Sequence, residues 1–350
     1  MYEAELKLRL GIDQKLISRI IQRAKKEPKR VVFAEADHHK ILKAAQIVKE
    51  DGICEPILLG NQKRIKAIME EHHIELEGVE IIDPVKVRET RARYGQVLYE
   101  KRKRKGATMD GARRLMMDRN YFGSMMVELG EADALVSGLT QDYPSTVIPA
   151  LYVIGKEEGI DRVAGMYIVF SKKGTYYFAD TTLNINPNAE QLVDIATLTA
   201  RSVRYFDDEP RIGMICYSNF GSAKGEDPTK MALATELIKQ RYPDIKVEGE
   251  MQANIALSPE LQKELYPFSE LANEGANTLI FPNLSTGNTV YKLLAEMGGA
   301  ETMGPILMGM KKPVHVLQLG SSVRDITNIV SIAVVDAQNY AKREAYDCVY

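Results

Sequence analysis

Short apolar runs alternate with amphipathic segments along almost the whole chain, and this alternation limits the fold more than any other feature. VVFAEA (31–36), PILLG (56–60), VEIID (79–83) and ADALVSG (132–138) read as strands. Leu16, Ile17, Ile20, Ile21 and Ala24, then Ile41, Leu42, Ala45 and Val48, recur at helical spacing. Asp13 is a candidate N-cap of the first helix and Pro28 its stop. Residues 64–71 read as a helix, and 85–105 and 108–129 as two long ones. VAGMYIVFS (163–171) and GTYYFAD (174–180), joined by a Lys-Lys-Gly turn, form an expected antiparallel hairpin. Helices over 188–204, 228–240, 258–265 and 285–297 are then interleaved with RIGMICYS (211–218), VEGEM (247–251) and TLIFP (278–282). PVHVLQL (313–319) and a helix over 324–345 end the pattern. Strand and helix in repeated succession imply an α/β architecture with mainly parallel sheets covered on both faces.

A chain of 350 residues suggests two domains at roughly 150 residues each. Basic residues number 46 and acidic ones 48, a net charge of −2, so no broad field draws the chain to nucleic acid or a membrane surface. Cys54, Cys216 and Cys348 have neither disulfide nor metal spacing and are expected as buried thiols in a reducing compartment. No apolar run approaches the roughly 20 residues that span a bilayer. MYEAELKLRLG carries no secretory apolar region, so a cytoplasmic location is expected. Met1 runs at once into charge, which fits either a piece cut from a longer chain or a natural start with a short arm.

The signs of chemistry are sparse. Neither the dinucleotide fingerprint, a Walker A loop, HExxH nor Gly-x-Ser-x-Gly occurs. His38-His39 and His72-His73 are adjacent pairs that would point apart on a helix, so no shared metal is expected; Asp37 to His39 read as a helix start. The run Lys101-Arg102-Lys103-Arg104-Lys105 before Gly106 suits a helix C-terminus and equally a phosphate grip. PNLSTGN (282–288) and LGSSVRDI (319–326) each join a strand to a helix through small residues, as a structural turn or an anion cradle does. Ser321 or Ser322 is placed to cap the last helix or to bind phosphate.

Several segments together resemble the phosphate acetyltransferase (phosphotransacetylase) family. They include YEKRKRKGAT (99–108), NAEQLVDIA (188–196), GSAKGEDP (221–228), GANTLIFPNLSTGNTVYKLL (275–294) and GSSVRDITNIV (320–330). The resemblance implies two α/β/α domains with an interdomain cleft, in an isocitrate/isopropylmalate dehydrogenase-like arrangement. Residues 1–155 plus 307–350 would form one domain and 156–306 the other. It also implies a homodimer and acetyl transfer between coenzyme A and phosphate. Active members are implied to end the last strand in Ser-Arg-Gly, with an Asp seven residues after the Ser as base towards the thiol. Here Gln318 stands for the Ser and Leu319 for the Arg, while Asp325 is kept. Ile148 replaces a further arginine, and Arg102 retains another.

YEAELKLRLG followed by PKRVVFAEADHHKILKAAQ resembles, more closely, the junction to the C-terminal domain of hybrid NADP-dependent malic enzymes. On that resemblance the chain is expected to be a non-catalytic regulatory and oligomerisation domain that senses acetyl-CoA. Arg102, Asn288, Lys292 and Ser321 would bind the effector, and no catalytic residues or metal would be present. NADP and a divalent metal (Mg or Mn) would serve an absent catalytic part, a malic enzyme domain in cis. The alternatives are an active phosphate acetyltransferase with a rearranged site, in which another base such as Lys292 supplies charge, and a purely structural oligomerisation module.

Overall fold

The computed structural model describes residues 12–347. The chain divides into two compact units, one holding Arg19–Glu158 together with the chain from Met310 onward, the other holding Gly159–Gly309 together with the described residues up to Ser18. α1 (Ile12–Lys26) belongs to the first unit from Arg19 onward, and the order there continues β1 (Lys29–Phe33), α2 (His39–Glu50), β2 (Cys54–Leu59), α3 (Gln62–Glu71), β3 (Glu80–Ile82), α4 (Arg88–Arg102), α5 (Met109–Leu115), α6 (Arg119–Glu128), β4 (Ala134–Ser137) and α7 (Tyr143–Val153). β1 pairs in parallel with β2 and with β4, and β2 with β3. Val31, Val32 and Phe33 are fully buried, as strands covered on both faces must be.

Two expectations need correction here, and one helix was unforeseen. Asp13 lies inside α1 rather than at its cap. The single helix expected over 108–129 is two, because the Asp118 carboxylate accepts the N–H groups of Asn120 (2.8 Å) and Tyr121 (3.2 Å) and starts α6 afresh. α7 was not expected at all, since Pro149 lies inside it. Asp142 caps it by accepting the Ser145 N–H (2.9 Å), and Pro144 occupies the first turn, where a missing N–H costs nothing.

The second unit contains β5 (Ala164–Ser171), β6 (Gly174–Ala179), α8 (Ala189–Tyr205), β7 (Arg211–Ile215), α9 (Glu226–Arg241), β8 (Lys246–Met251), α10 (Ala253–Ala256), α11 (Pro259–Leu265), β9 (Thr278–Ile280), α12 (Leu284–Gly298) and β10 (Glu301–Met308). Its sheet has the order β10-β5-β6-β9-β7-β8. The hairpin β5–β6 is antiparallel as expected, with Tyr167 opposite Phe178. β10, an unexpected strand, adds antiparallel to β5, and its ladder shifts register between Met303 and Ile306, where Pro305 has no N–H to give. The core gathers Tyr167, Phe178, Met251, Phe281 and Tyr291, with the Tyr167 and Tyr291 rings stacked at 4.1 Å.

The chain then re-enters the first sheet as β11 (Val314–Val316), parallel to β4, and ends in α13 (Val323–Asp347). α13 packs across β4 and β1 and against α2. The Gln338 amide donates to the carbonyls of Arg23, Ala24 and Glu27 and so ties α13 to the end of α1. The finished order is β11-β4-β1-β2-β3. Succession therefore reverses between β1 and β4, and such a reversal opens a crevice beyond the strands' carboxyl ends. Among the described residues no helix is long and apolar enough to cross a membrane. Cys54 and Cys216 are buried free thiols; Cys348 lies outside the described residues.

Candidate functional site

Buried carboxylates fasten the loops that leave the strands. Glu35, just past β1, accepts the N–H groups of Gly138 (2.7 Å), Leu139 (2.6 Å) and Thr140 (3.0 Å) and the Thr140 hydroxyl. The loop after β4 is thereby fixed to the end of β1. Gly138 has φ +102°, and a Cβ there would lie 2.7 Å from the Val316 side chain, so only glycine lets β4 end this close to β11. In the second unit Asp180 accepts N–H groups from Gly165 (3.2 Å), Thr182 (2.7 Å), Leu183 (3.2 Å) and Asn184 (2.9 Å). Burial pushes its carboxyl above the ordinary range, while these donors pull the other way. Glu250 accepts the Ser218 hydroxyl (2.8 Å) and the Gly221 N–H (2.6 Å) and holds the loop after β7. None of the three stands out in the sequence, because a lone acid before a turn has no motif.

At the start of α13, the Asp325 Oδ2 accepts the Ser322 N–H (2.8 Å) and hydroxyl (2.7 Å), while the Asp325 N–H donates back to the Ser322 Oγ (3.2 Å). Ser322 is therefore the cap, in a capping-box arrangement. Ser321 instead closes the preceding turn, its hydroxyl donating to the Gln318 carbonyl (2.9 Å). Lys40 braces the same turn by donating to the carbonyls of Gly320 (3.3 Å) and Ser321 (3.0 Å). Gln318 and Asp325 are exposed, Leu319 is 66% exposed, and Ile148 on α7 is 55% exposed. Two apolar side chains thus face water at positions where the family resemblance implies arginines.

Arg102 is already employed. It donates to the carbonyls of Tyr152 (2.8 Å) and Leu151 (3.1 Å), and its guanidinium lies 4.3 Å from the Tyr152 ring centre. Lys101 donates to the Val153 carbonyl (2.5 Å). The basic run therefore caps the C-terminus of a neighbouring helix, α7, while Gly106 turns the chain at φ +86°. In the second unit Asn283 caps α12 by accepting the Thr286 N–H (3.0 Å), and Asn288 donates to the Thr181 carbonyl (3.0 Å). Lys292 is exposed beside the Tyr291 ring. His38 caps α2 by accepting the Lys40 N–H (3.2 Å), and its ring stacks on His39, which stacks in turn on His72.

Comparison with known proteins gives this geometry a family. Residues 15–334 match the model of the phosphate acetyl/butaryl transferase family. The phosphate acetyltransferase of Acetivibrio thermocellus is 37% identical over 329 residues, covering 92% of this chain and 98% of that protein. The phosphate acetyltransferase of Nitratidesulfovibrio vulgaris is 35% identical over 91% of this chain, which spans 45% of that longer protein. The solved structure of EutD phosphotransacetylase from Staphylococcus aureus superposes with a TM-score of 0.86 at 30% identity, covering 92% of this chain and 98% of that one. These matches overturn the malic-enzyme reading, with its non-catalytic role, its oxidoreductase chemistry, its NADP and its allosteric function. The Acetivibrio protein is an acetyltransferase matched over nearly its full length, which leaves no room in it for a malic domain. The two-unit α/β fold expected from the sequence is that of the solved phosphotransacetylase, and the chain belongs to the phosphate acetyl/butaryl transferase family.

Proposed function

We propose that this protein transfers an acetyl group between coenzyme A and phosphate. The observation that carries the reading is the family match over residues 15–334, which includes Asp325 in the first turn of α13. The thiol sulfur of coenzyme A attacks the carbonyl carbon of acetyl phosphate, a carboxylate takes the thiol proton, and the C–O bond to phosphate breaks as phosphate leaves with the electron pair. Asp325 is the base in this scheme. Ser322 holds one of its oxygens, which orients the carboxylate at the carboxyl end of β11. Coenzyme A and acetyl-CoA are then substrates rather than effectors. Lys292, exposed on α12, suits the phosphates of coenzyme A, whereas Arg102, Asn288 and Ser321 hold backbone carbonyls and shape the loops. Self-association into a homodimer is a further proposal, supported by Leu293, Leu294 and Met297, which expose apolar surface on α12.

The test is turnover of the purified chain with acetyl phosphate and coenzyme A, followed at the thioester absorbance. Wild-type protein turns over, and Asp325→Asn lowers kcat by about 10²–10⁴-fold, the usual contribution of a positioned base. Folded wild-type protein without turnover would overturn the proposal.

A further inference from the structure

We propose that His38, His39 and His72 form a proton-sensitive latch in the first unit, closed while His38 is neutral, which keeps Lys40 on the turn that leads into α13. The three imidazole rings lie in one stack. Ring centres are 4.6 Å apart between His38 and His39 and 4.9 Å apart between His39 and His72, each pair inclined by 23°. His38 is the N-cap of α2, and His39 is the first residue of that helix. His72 closes the C-terminus of α3, its N–H donating to the Ile68 carbonyl (3.0 Å). The stack therefore joins the start of one helix to the end of another. It is not a metal centre: among the described residues no three His, Cys, Asp or Glu side chains are grouped to hold an ion.

The latch turns on one nitrogen. His38 Nδ1 accepts the Lys40 N–H (3.2 Å), so it carries no proton of its own. A proton there removes the acceptor, leaves a first-turn N–H without its partner and puts positive charge at a helix N-terminus, where cations are disfavoured. Burial pushes the His38 imidazole below its ordinary range, and charge on His39 and Lys40 pushes the same way. Glu35 and Asp37 pull it up, but by less. Glu35 is taken up by the N–H groups of the loop after β4, and Asp37 is paired with Arg119 (2.5 Å) and Arg64 (3.3 Å). Neutral His38 therefore stabilises the start of α2 fully above the unfolded imidazole value of about 6.5, and that contribution is lost as pH falls through the lower folded value. Lys40 carries the change onward. Its N–H is the one His38 holds, and its Nζ donates to the carbonyls of Gly320 (3.3 Å) and Ser321 (3.0 Å). That turn runs directly into the box of Ser322 and Asp325. When the first turn of α2 frays, the Lys40 side chain leaves the turn and the start of α13 loosens.

The experiment is an NMR titration of the histidine rings in the full chain, with melts and turnover of wild type and His38→Asn at about pH 7.5 and about pH 5.5, either side of the imidazole range. Asparagine is among the best N-caps and takes no proton, so this variant keeps the cap and removes only the titration. The His38 ring titrates below about 6.5 in wild type. His39→Ala uncovers that ring and moves its midpoint up, which a merely structural role for His39 does not do. On acidification the melting temperature of wild type falls by about 1–2 °C more than that of His38→Asn. The turnover arm rests on the proposed acetyl transfer: kcat falls about threefold more in wild type than in His38→Asn, the worth of one helix cap. A His38 ring that titrates at or above the ordinary value would overturn the latch. So would parallel melts, or parallel kcat profiles in protein that turns over. Diverging melts without turnover at either pH would support the latch and sink the transferase reading instead.

Discussion

A charged side chain in this protein acts through what it is paired with. Arg30 grips Asp133 through its backbone N–H (2.8 Å) and two guanidinium contacts (2.9 and 3.2 Å). Burial pushes the Asp133 carboxyl up, and the hydrogen bonds and charge of Arg30 outweigh that and hold it below the usual range. A carboxyl depressed in the folded state stabilises the protein above its unfolded pKa of about 3.9 and loses that contribution as pH falls through its folded value. The pair is partly exposed, 46% and 29%, so its worth is about 1 kcal/mol at most. Below about pH 4 the melting temperature of wild type should therefore fall by up to about 1–2 °C more than that of Asp133→Asn. Parallel acid limbs in the two melting curves would show that the pair contributes nothing. At this scale little of the site was legible. Asp325, Gln318, Leu319 and Ile148 were placed by family resemblance, whereas Glu35, Asp180 and Glu250 are lone acids before turns, and most of the loops they hold lie far away in sequence.

Elements here are fixed at their ends. The box between Ser322 and Asp325 starts α13, and the Glu35 clasp sets where the loop after β4 runs. Ser322→Ala removes an exposed cap and should cost about 1 kcal/mol. Glu35→Ala strands buried N–H groups that each cost about 1–3 kcal/mol when unsatisfied, so it should cost more than the cap does. Urea titrations of both variants order the two effects, and an equal or reversed order would show that the loop finds other partners. The same end-chemistry explains which elements the sequence revealed. Most strands and helices were visible because periodicity runs through their middles. α7 was missed because Pro149 reads as a breaker, although the chain re-enters a helix around it. β10 was missed because Gly304-Pro305 interrupts it, and it survives as an edge strand with a shifted ladder. The long helix over 108–129 was over-read because no proline separates its two halves, and the Asp118 cap that restarts the chain shows only in its hydrogen bonds.

At the scale of the molecule, the first unit is assembled from two distant pieces of chain. No flexible linker marks the excursion, because its two ends lie side by side. Lys156 bridges Met310, and the Lys311 N–H donates to the Gly155 carbonyl (3.1 Å). The composition therefore shows no boundary there. Residues 159–309 contain all six strands of their own sheet and its aromatic core. Residues 19–158 contain four strands but neither β11 nor α13, which covers β4 and β1. A parallel sheet left bare on one face cannot hide its apolar side chains. The fragment 159–309 should therefore melt cooperatively on its own, whereas 19–158 should not and should bind an apolar dye. Joining residue 158 to residue 310 through a few glycines should restore a cooperative melt to the first unit, since the joined ends are already neighbours. Circular-dichroism melts of the three chains decide it. A cooperative transition in 19–158 alone would mean that α13 only decorates a sheet already stable without it.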